Sequence, residues 1–361
     1  MSFFDQLGAA ASQLQALQGA LEGGEGPKPI RAERGEPVDE ESFAAQAEAS
    51  IPGTIRMFSG CDDHQTSADV HDVSSFGLPD ADGAGGACTN ALLLTLAQNA
   101  SPTWVELLSG MRSTLATKRF TQIPQLSSSR AISMADDFSI LGDQNNGNTK
   151  ALMVGINYVG QKGELKGCHN DVESMKGHLL ENGFTDDPET MKVLCDDGVH
   201  EDPTQENILA GFRWLVEGAE PGTSLFFHYS GHGGSVKDQG TDEKDGKDET
   251  LIPVDYQKTG QVRDDAIFRE LVERVPAGVT LTVLMDCCHS GSILDLPYMF
   301  KADSETMDAV EGGAPPSMQP NPGFNVMKVL KAAKELFELH KSGADAQELL
   351  GAAKGLIGGL F

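Results

Sequence analysis

The chain has 361 residues, 39% hydrophobic and 22% charged, and its 54 acidic against 27 basic side chains give a formal charge of −27. That balance argues against nucleic acid as a partner, because phosphate contacts need clustered Lys and Arg. It suits a site for cations, either a metal ion or a basic peptide, although for most of the acids the plain reading is solubility. The length allows one large domain or two ordinary ones with tails. Six cysteines (Cys61, Cys88, Cys168, Cys195, Cys287 and Cys288) form no CxxC pair and are too few for a disulfide scaffold. The opening stretch lacks a basic n-region with a solid apolar core, and no apolar run is long enough to span a bilayer. A reducing, cytoplasmic and monomeric protein is expected.

In chain order, residues 3–21 carry Phe4, Leu7, Leu14, Leu17 and Leu21 at helical spacing, and residues 23–37 read as a linker. From Ile51, TIRMF reads as a strand. CTNALLLTLAQN and TWVELLSGMRSTLATK read as helices, the second with Pro102 just ahead of it. QIPQLSSS reads as a short edge strand, because its proline cannot donate to a ladder, and DDFSILGDQNNGNTK as a loop. After Lys150 the pattern changes. ALMVGINY is a continuous apolar run, as in a strand buried on both faces. NDVESMKGHLLENGF is a helix stopped by Asn182-Gly183, and TMKVLCD is the next strand. Thr204 caps a helix carrying Ile208, Leu209, Phe212, Leu215 and Val216. SLFFHYS is a strand, RDDAIFRELVERV a helix and VTLTVLMDCCHS a strand. This alternation predicts a mostly parallel sheet with helices on both faces. Beyond Pro297 come a polar stretch and an amphipathic helical tail, which reads as packing or helix pairing before membrane-surface contact.

Functional residues of such sheets gather at the carboxyl ends of the strands. One strand ends in Tyr229-Ser230-Gly231-His232-Gly233-Gly234, a histidine fenced by glycines and poor core material. Another ends in Asp286-Cys287-Cys288-His289-Ser290-Gly291. A cysteine nucleophile needs a base, since its unperturbed pKa is about 8.5. A histidine on the neighbouring strand can serve, and its imidazolium can later protonate the leaving amine of a peptide. Flanking glycines let backbone N–H groups turn toward a developing oxyanion.

YSGHGG and DCCHSG, with LKGCHNDV upstream, resemble the large-subunit catalytic region of the metacaspases, in the caspase-like clan of cysteine peptidases, over about residues 150–300. The resemblance aligns His232 and Cys288 with the family's catalytic pair and has Gly233 lend its backbone to the oxyanion hole. Cys287 stands where serine is common and reads as a small buried hydrophobe. FSGCDDHQTSADV, WVELLSGMRSTL and QIPQLSSS resemble the small-subunit region, which here comes first, as in the type III metacaspases described from algae. The implied fold is caspase-like α/β, a mostly parallel central sheet flanked by helices on both faces, with helical terminal extensions. Its expected segments are an N-terminal helix and linker (1–50), a small-subunit-like region (51–135), a linker loop (136–150), a large-subunit-like catalytic region (151–300), and a polar linker with C-terminal amphipathic helices (301–361). The two subunit-like regions should form one catalytic unit.

The resemblance also implies a pocket for Arg or Lys built from Asp171 and Asp286 with Cys168 and Ser230, carboxylates being the groups that meet an incoming cation. Asp171 has an alternative reading as a helix N-terminal acid. It further implies an activating Ca²⁺ held by Asp248, Asp264, Asp265 and Asp295. TDEKDGKDET (241–250) is not an EF-hand loop, because Lys244 stands where the second ligand belongs; by itself it reads as a solvated loop. His289 reads as orienting its turn, His64 and His71 as surface or satisfied polar groups, and Cys61, Cys88 and Cys195 as buried thiols. A redox pair of Cys287 and Cys288 is disfavoured, because adjacent cysteines bridge only with strain. The expected activity is calcium-dependent cysteine endopeptidase cleavage of basic protein or peptide substrates, with self-cleavage at loop residues such as Lys150, Lys162 or Lys258. The rival is a calcium-responsive binding scaffold that keeps the fold without proteolysis.

Overall fold

The computed structural model describes residues 40–60, 69–70, 85–120, 122–237, 247–287, 293–321 and 324. The expected helix at 3–21, the linker at 23–37 and the C-terminal helical tail lie outside these residues, as do Cys61, His64, His71, Cys288 and His289. The chain divides into two compact units. The smaller contains helix α1 (Glu40–Ser50), whose Phe43 ring meets Phe324 edge-on at 6.0 Å.

The larger unit comprises Ile51–Asp238 and Glu243–Gly323. It begins with β1 (Thr54–Ser59), β2 (Asp69–Val70), β3 (Gly85–Gly86), α2 (Ala87–Gln98), α3 (Trp104–Thr117) and β4 (Gln125–Ser128). It continues with β5 (Thr149–Gly155), α4 (Cys168–Glu181), β6 (Met191–Cys195), α5 (Gln205–Val216), β7 (Ser224–Ser230), β8 (Gly233–Lys237) and β9 (Lys247–Leu251). It ends with α6 (Tyr256–Thr259), β10 (Val262–Arg263), α7 (Asp264–Glu270), β11 (Thr280–Asp286), β12 (Tyr298–Lys301), α8 (Ser304–Glu311) and β13 (Gln319–Pro320).

The main sheet has the order β13-β12-β4-β1-β11-β7-β5-β6. The run from β1 through β11, β7 and β5 to β6 is parallel, and β4, β12 and β13 are antiparallel additions. Every residue of β7 is buried, as is every residue of β11 after Thr280, which is why these strands read as unbroken apolar runs. β1 pairs with β11 from Thr54↔Thr280 to Ser59↔Met285, so strands from opposite ends of the chain are neighbours in one sheet.

Several expectations fail here. QIPQLSSS is not an edge strand, because β4 is hydrogen-bonded to β1 on one side and β12 on the other. Its proline, Pro124, falls just before the first paired residue, so no ladder donor is lost, and its carbonyl accepts from Ala302 N at 3.0 Å. RDDAIFRELVERV is shorter as a helix than expected: α7 stops at Glu270 and Val272–Arg274 is a single 3-10 turn. Part of the acidic stretch 241–250 is strand β9, in a small sheet with β8 and β10 that the sequence pattern did not suggest. Lys150 is not in a loop: it lies in β5, with Nζ donating to Trp214 O at 2.5 Å over the Trp214 ring. Lys258 is in α6, and Lys162 is in an exposed turn.

Local chemistry sets the helix ends. α3 starts in a reciprocal cap, Glu106 N donating to Thr103 Oγ1 (3.3 Å) and Thr103 N to Glu106 Oε2 (2.9 Å). Thr204 caps α5 as expected, accepting from Asn207 N at 3.2 Å. The loop ahead of β5 is tied down by buried Arg56 of β1, which lies over Trp104 and donates to Ser139 O and Leu141 O (3.1 and 3.3 Å). Among the described residues, no helix is long and apolar enough to cross a membrane.

Candidate active site

β7 and β11 run side by side in register to their last pair, Ser230↔Asp286. His232 and Cys288 each follow that pair by two residues. Cys288, with His289, Ser290 and Gly291 after it, lies outside the described residues; its neighbour Cys287 is fully buried.

The surroundings of His232 determine which ring nitrogen can act as a base. Its Nε2 lies 2.7 Å from Gly163 O. A carbonyl only accepts, so Nε2 carries the hydrogen, and the neutral ring has its lone pair on Nδ1. Gly163 has φ +84°, and a Cβ there would lie 3.3 Å from Nε2, so this close approach of backbone to imidazole suits glycine. The Tyr158 ring lies against the imidazole at 4.7 Å. His232 N donates to Tyr158 Oη (2.9 Å), which donates to Ile252 O (2.8 Å), while Tyr229 Oη donates to His232 O (2.8 Å). Burial raises both phenols well above their usual range, so they remain hydrogen-bonding hydroxyls.

Tyr158 adopts φ +54°, a strained conformation for a bulky residue. The N–H groups of the residues on either side of it are held by one carboxylate: Asp196 accepts from Asn157 N (2.8 Å) and Val159 N (3.1 Å), and also binds His169 Nε2 (2.7 Å). Burial works against ionisation of Asp196, but these donors together hold it below the usual carboxylate range. Sequence reasoning missed Tyr158, Gly163 and Asp196. Tyr158 had been read as the end of a strand that in fact stops at Gly155.

The expected pocket acids are both buried and both meet the amino terminus of α2. Gly86, the N-cap of α2, donates its N–H to Asp171 Oδ1 and Oδ2 (2.8 Å each). Asn90 Nδ2 approaches Oδ1 at 3.4 Å, and Ser230 Oγ donates to Oδ2 at 2.6 Å. Thr89 N donates to Asp286 Oδ2 at 2.7 Å. No side chain of its own segment caps α2; carboxylates from α4 and β11 take its free N–H groups. A Cβ on Gly86 would collide with Asp286 Oδ2 and lie 2.8 Å from Asp171 Oδ2. Asp171, Asp286 and Ser230 are thus brought together around Gly86. Cys168 is buried at the first residue of α4, its N–H donating to Asn157 Oδ1 at 3.0 Å. Gly86, Thr89 and Asn90 were not anticipated as site residues, since GGACTN looks like an ordinary helix start.

Thr89 Oγ1 also lies 3.2 Å from Nε2 of His228, a fully buried residue of β7 whose Nδ1 has no hydrogen-bond partner among the described residues. Burial lowers His228 from its ordinary 6.5 to about 3. The folded protein therefore holds this ring neutral. The associated stability is complete above the unfolded pKa and is lost as pH falls below it. Urea unfolding at pH 6.5 and pH 5 should show a loss of about 2 kcal/mol from this group. His228→Leu should flatten the slope, and an unchanged slope would contradict the assignment.

Asp248 of β9 and Asp264 and Asp265 at the start of α7 bring carboxylate oxygens within 4.8 Å of one another. Asp295, the fourth expected ligand, has φ +46° and is not in that group. Asp264 accepts from Asp265 N (2.7 Å) and Glu249 N (3.0 Å); burial and then the Asp265 charge push it up to about 8. Asp248 is ion-paired with Arg263. These carboxylates offer the several hard oxygens from different segments that a divalent cation of the calcium type would need. β9, which carries Asp248, also pairs Leu251 with Gly233, and Ile252 N donates to His232 O at 3.1 Å.

Residues 149–297 match the family described as "Metacaspase, peptidase C14 domain", and residues 11–134 match "Caspase domain". The chain is 46% identical over 272 residues to metacaspase III c of Phaeodactylum tricornutum, covering 73% of this chain and 80% of that protein. It is 51% identical over 156 residues to metacaspase-1 of Mycosarcoma maydis (43% of this chain, 38% of that protein). It is 49% identical over 166 residues to metacaspase-1B of Neurospora crassa (45% and 39%). The fold and these matches define a caspase-like cysteine peptidase, a hydrolase acting on proteins. Within that class, the chain belongs to the metacaspase family.

Proposed function

We propose that the protein is a calcium-dependent endopeptidase that cleaves after Arg or Lys, with His232 and Cys288 as its catalytic dyad. The observation that carries this reading is the Gly163 carbonyl on His232 Nε2, which leaves Nδ1 as the basic nitrogen at the strand edge that Cys288 follows. Nδ1 takes the thiol proton of Cys288, and the thiolate attacks the scissile carbonyl carbon. The displaced electron pair collects on oxygen, opposite the Gly233 N–H. Collapse breaks the C–N bond as the imidazolium returns its proton to the leaving amine. Water, deprotonated by Nδ1, then hydrolyses the thioester, and the sulfur leaves with a proton. Gly163 O accepts throughout and stabilises the imidazolium.

Asp171 and Asp286, with Ser230 and Cys168 beside them, would meet the substrate cation. The N–H groups at the start of α2 that donate to them offset the repulsion of two neighbouring carboxylates. Asp248, Asp264 and Asp265, with Asp295, would hold calcium, whose charge would neutralise their crowding. The ladder from β9 to Gly233 links that cluster to the dyad.

The test uses fluorogenic peptides ending in Arg, Lys or Asp. Expected is cleavage of the Arg and Lys peptides in millimolar calcium, none in EGTA, recovery on adding calcium back, and none by Cys288→Ala. Full turnover in chelator would retire the calcium requirement, and preference for the Asp peptide would retire the pocket assignment. A parent protein that cleaves nothing would favour the binding-scaffold reading.

A further inference from the structure

From the last residue of β6 the chain reads Cys195-Asp196-Asp197-Gly198-Val199-His200. We propose that Cys195, Asp197 and His200 form a site for one thiophilic divalent cation of the zinc type, separate from both the dyad and the carboxylate cluster. The sulfur, one carboxylate oxygen and one ring nitrogen lie within 4.8 Å of one another. Zinc holds such ligands at about 2.0–2.3 Å, which puts tetrahedral donors about 3–4 Å apart. Closing the site therefore needs side-chain adjustment of about 1 Å, not a rearrangement of the backbone.

The three donors are held by their segment. Cys195 is the last residue of a strand, 2% exposed, and its N–H donates to Glu201 O at 3.1 Å, which closes the loop back on itself. Gly198, at φ +75°, makes the reversal. Asp197 Oδ1 accepts from Val199 N and His200 N (2.9 Å each), which orients Oδ2 toward His200 Nδ1 at 2.7 Å. Both of these side chains are partly exposed, at 25% for Asp197 and 33% for His200, so an ion from solvent has a path in.

The chemistry of the donors selects the ion. One sulfur, one imidazole nitrogen and one carboxylate suit zinc, whereas calcium requires an all-oxygen shell. On binding, the Cys195 thiol releases its proton to the buffer, and His200 ligates through Nδ1 as the neutral ring with its single hydrogen on Nε2. Three protein ligands leave the fourth position to water. Asp196, between the first two ligands, holds the N–H groups of Asn157 and Val159 on either side of Tyr158, which lies on the His232 ring. An ion here would thus brace the loop that supports the catalytic histidine.

The site is tested in the full-length Cys288→Ala protein in saturating calcium, so that neither the dyad nor the carboxylate cluster competes. Cobalt is titrated as a spectroscopic probe and displaced with zinc. Expected are one equivalent bound, a near-ultraviolet thiolate-to-cobalt band that disappears in Cys195→Ser, and affinity weakened at least about tenfold in His200→Ala. The latter side chain is partly exposed, so its loss does not threaten the fold. Zinc should also raise the thermal midpoint of the parent but not of His200→Ala. Absence of binding by the parent, or a band and affinity unchanged in both variants, would overturn the proposal. Because no step reads peptide cleavage, its failure is distinguishable from failure of the peptidase reading.

Discussion

His232→Ala should fold normally and lose about 10²–10⁴-fold of its activity on an arginyl peptide, in kcat far more than in KM. The imidazole is half-buried at the sheet edge rather than in the core, so removing it empties no large cavity. Its backbone stays anchored, because the contacts that hold this residue use its N–H and carbonyl, through Tyr158, Tyr229 and Ile252. What disappears is the Nδ1 lone pair and the proton it returns to the leaving amine. Cys288→Ala should be at background, since no other thiol replaces it: Cys287, next in the chain, is fully buried. Steady-state kinetics and circular dichroism on the same samples check both statements. A His232→Ala protein with more than about a tenth of parental kcat would remove His232 from the chemistry.

The second large effect is expected from Gly86→Ala, a single methyl far from the dyad in sequence. Its Cβ would collide with one Asp286 oxygen and crowd one Asp171 oxygen. Those carboxylates cannot retreat cheaply, since Asp171 is bound by Ser230 Oγ and Gly86 N, and Asp286 by Thr89 N. Misplacing a positioning group by about 1 Å costs about 10²-fold. For Arg and Lys peptides the loss should fall on KM, with kcat at saturation little changed. Overpacking also predicts a stability loss of about 1–3 kcal/mol. Asp286→Asn should show the same KM defect without that stability loss, because the amide keeps the shape and gives up the charge. If Gly86→Ala lowers kcat and leaves KM intact, the α2 terminus does not position the specificity carboxylates.

How much of this was legible beforehand depended on how local each feature is. The parallel core announced itself because β5, β7 and β11 are apolar on both faces, and the glycine-fenced His232 marked a strand end that could not be core. The proposed pocket acids were legible only through the resemblance of LKGCHNDV and DCCHSG to a known family. Their partners were not, because Gly86, Thr89 and Asn90 come from a helix start 81–197 residues away in the chain. β4 was misplaced because whether a strand is an edge depends on what lies beside it, here β12 from near the end of the large unit. Tyr158 was hidden in an apolar run, and its positive φ follows from tertiary contacts with Asp196 and His232 that no local pattern encodes. Cys195, read as a buried thiol, is buried as expected, but Asp197 and His200 become its neighbours only because Gly198 turns the loop back.

The central claim, that the His232 imidazole serves the Cys288 sulfur, is tested most directly by the pH dependence of Cys288 alkylation, followed by mass spectrometry in calcium. In the parent, iodoacetamide should label Cys288 ahead of every other cysteine, with a midpoint well below the ordinary thiol value of about 8.5. In His232→Ala that midpoint should move up to the ordinary value. Identical profiles in the two proteins, or preferential labelling of Cys287, would contradict the dyad.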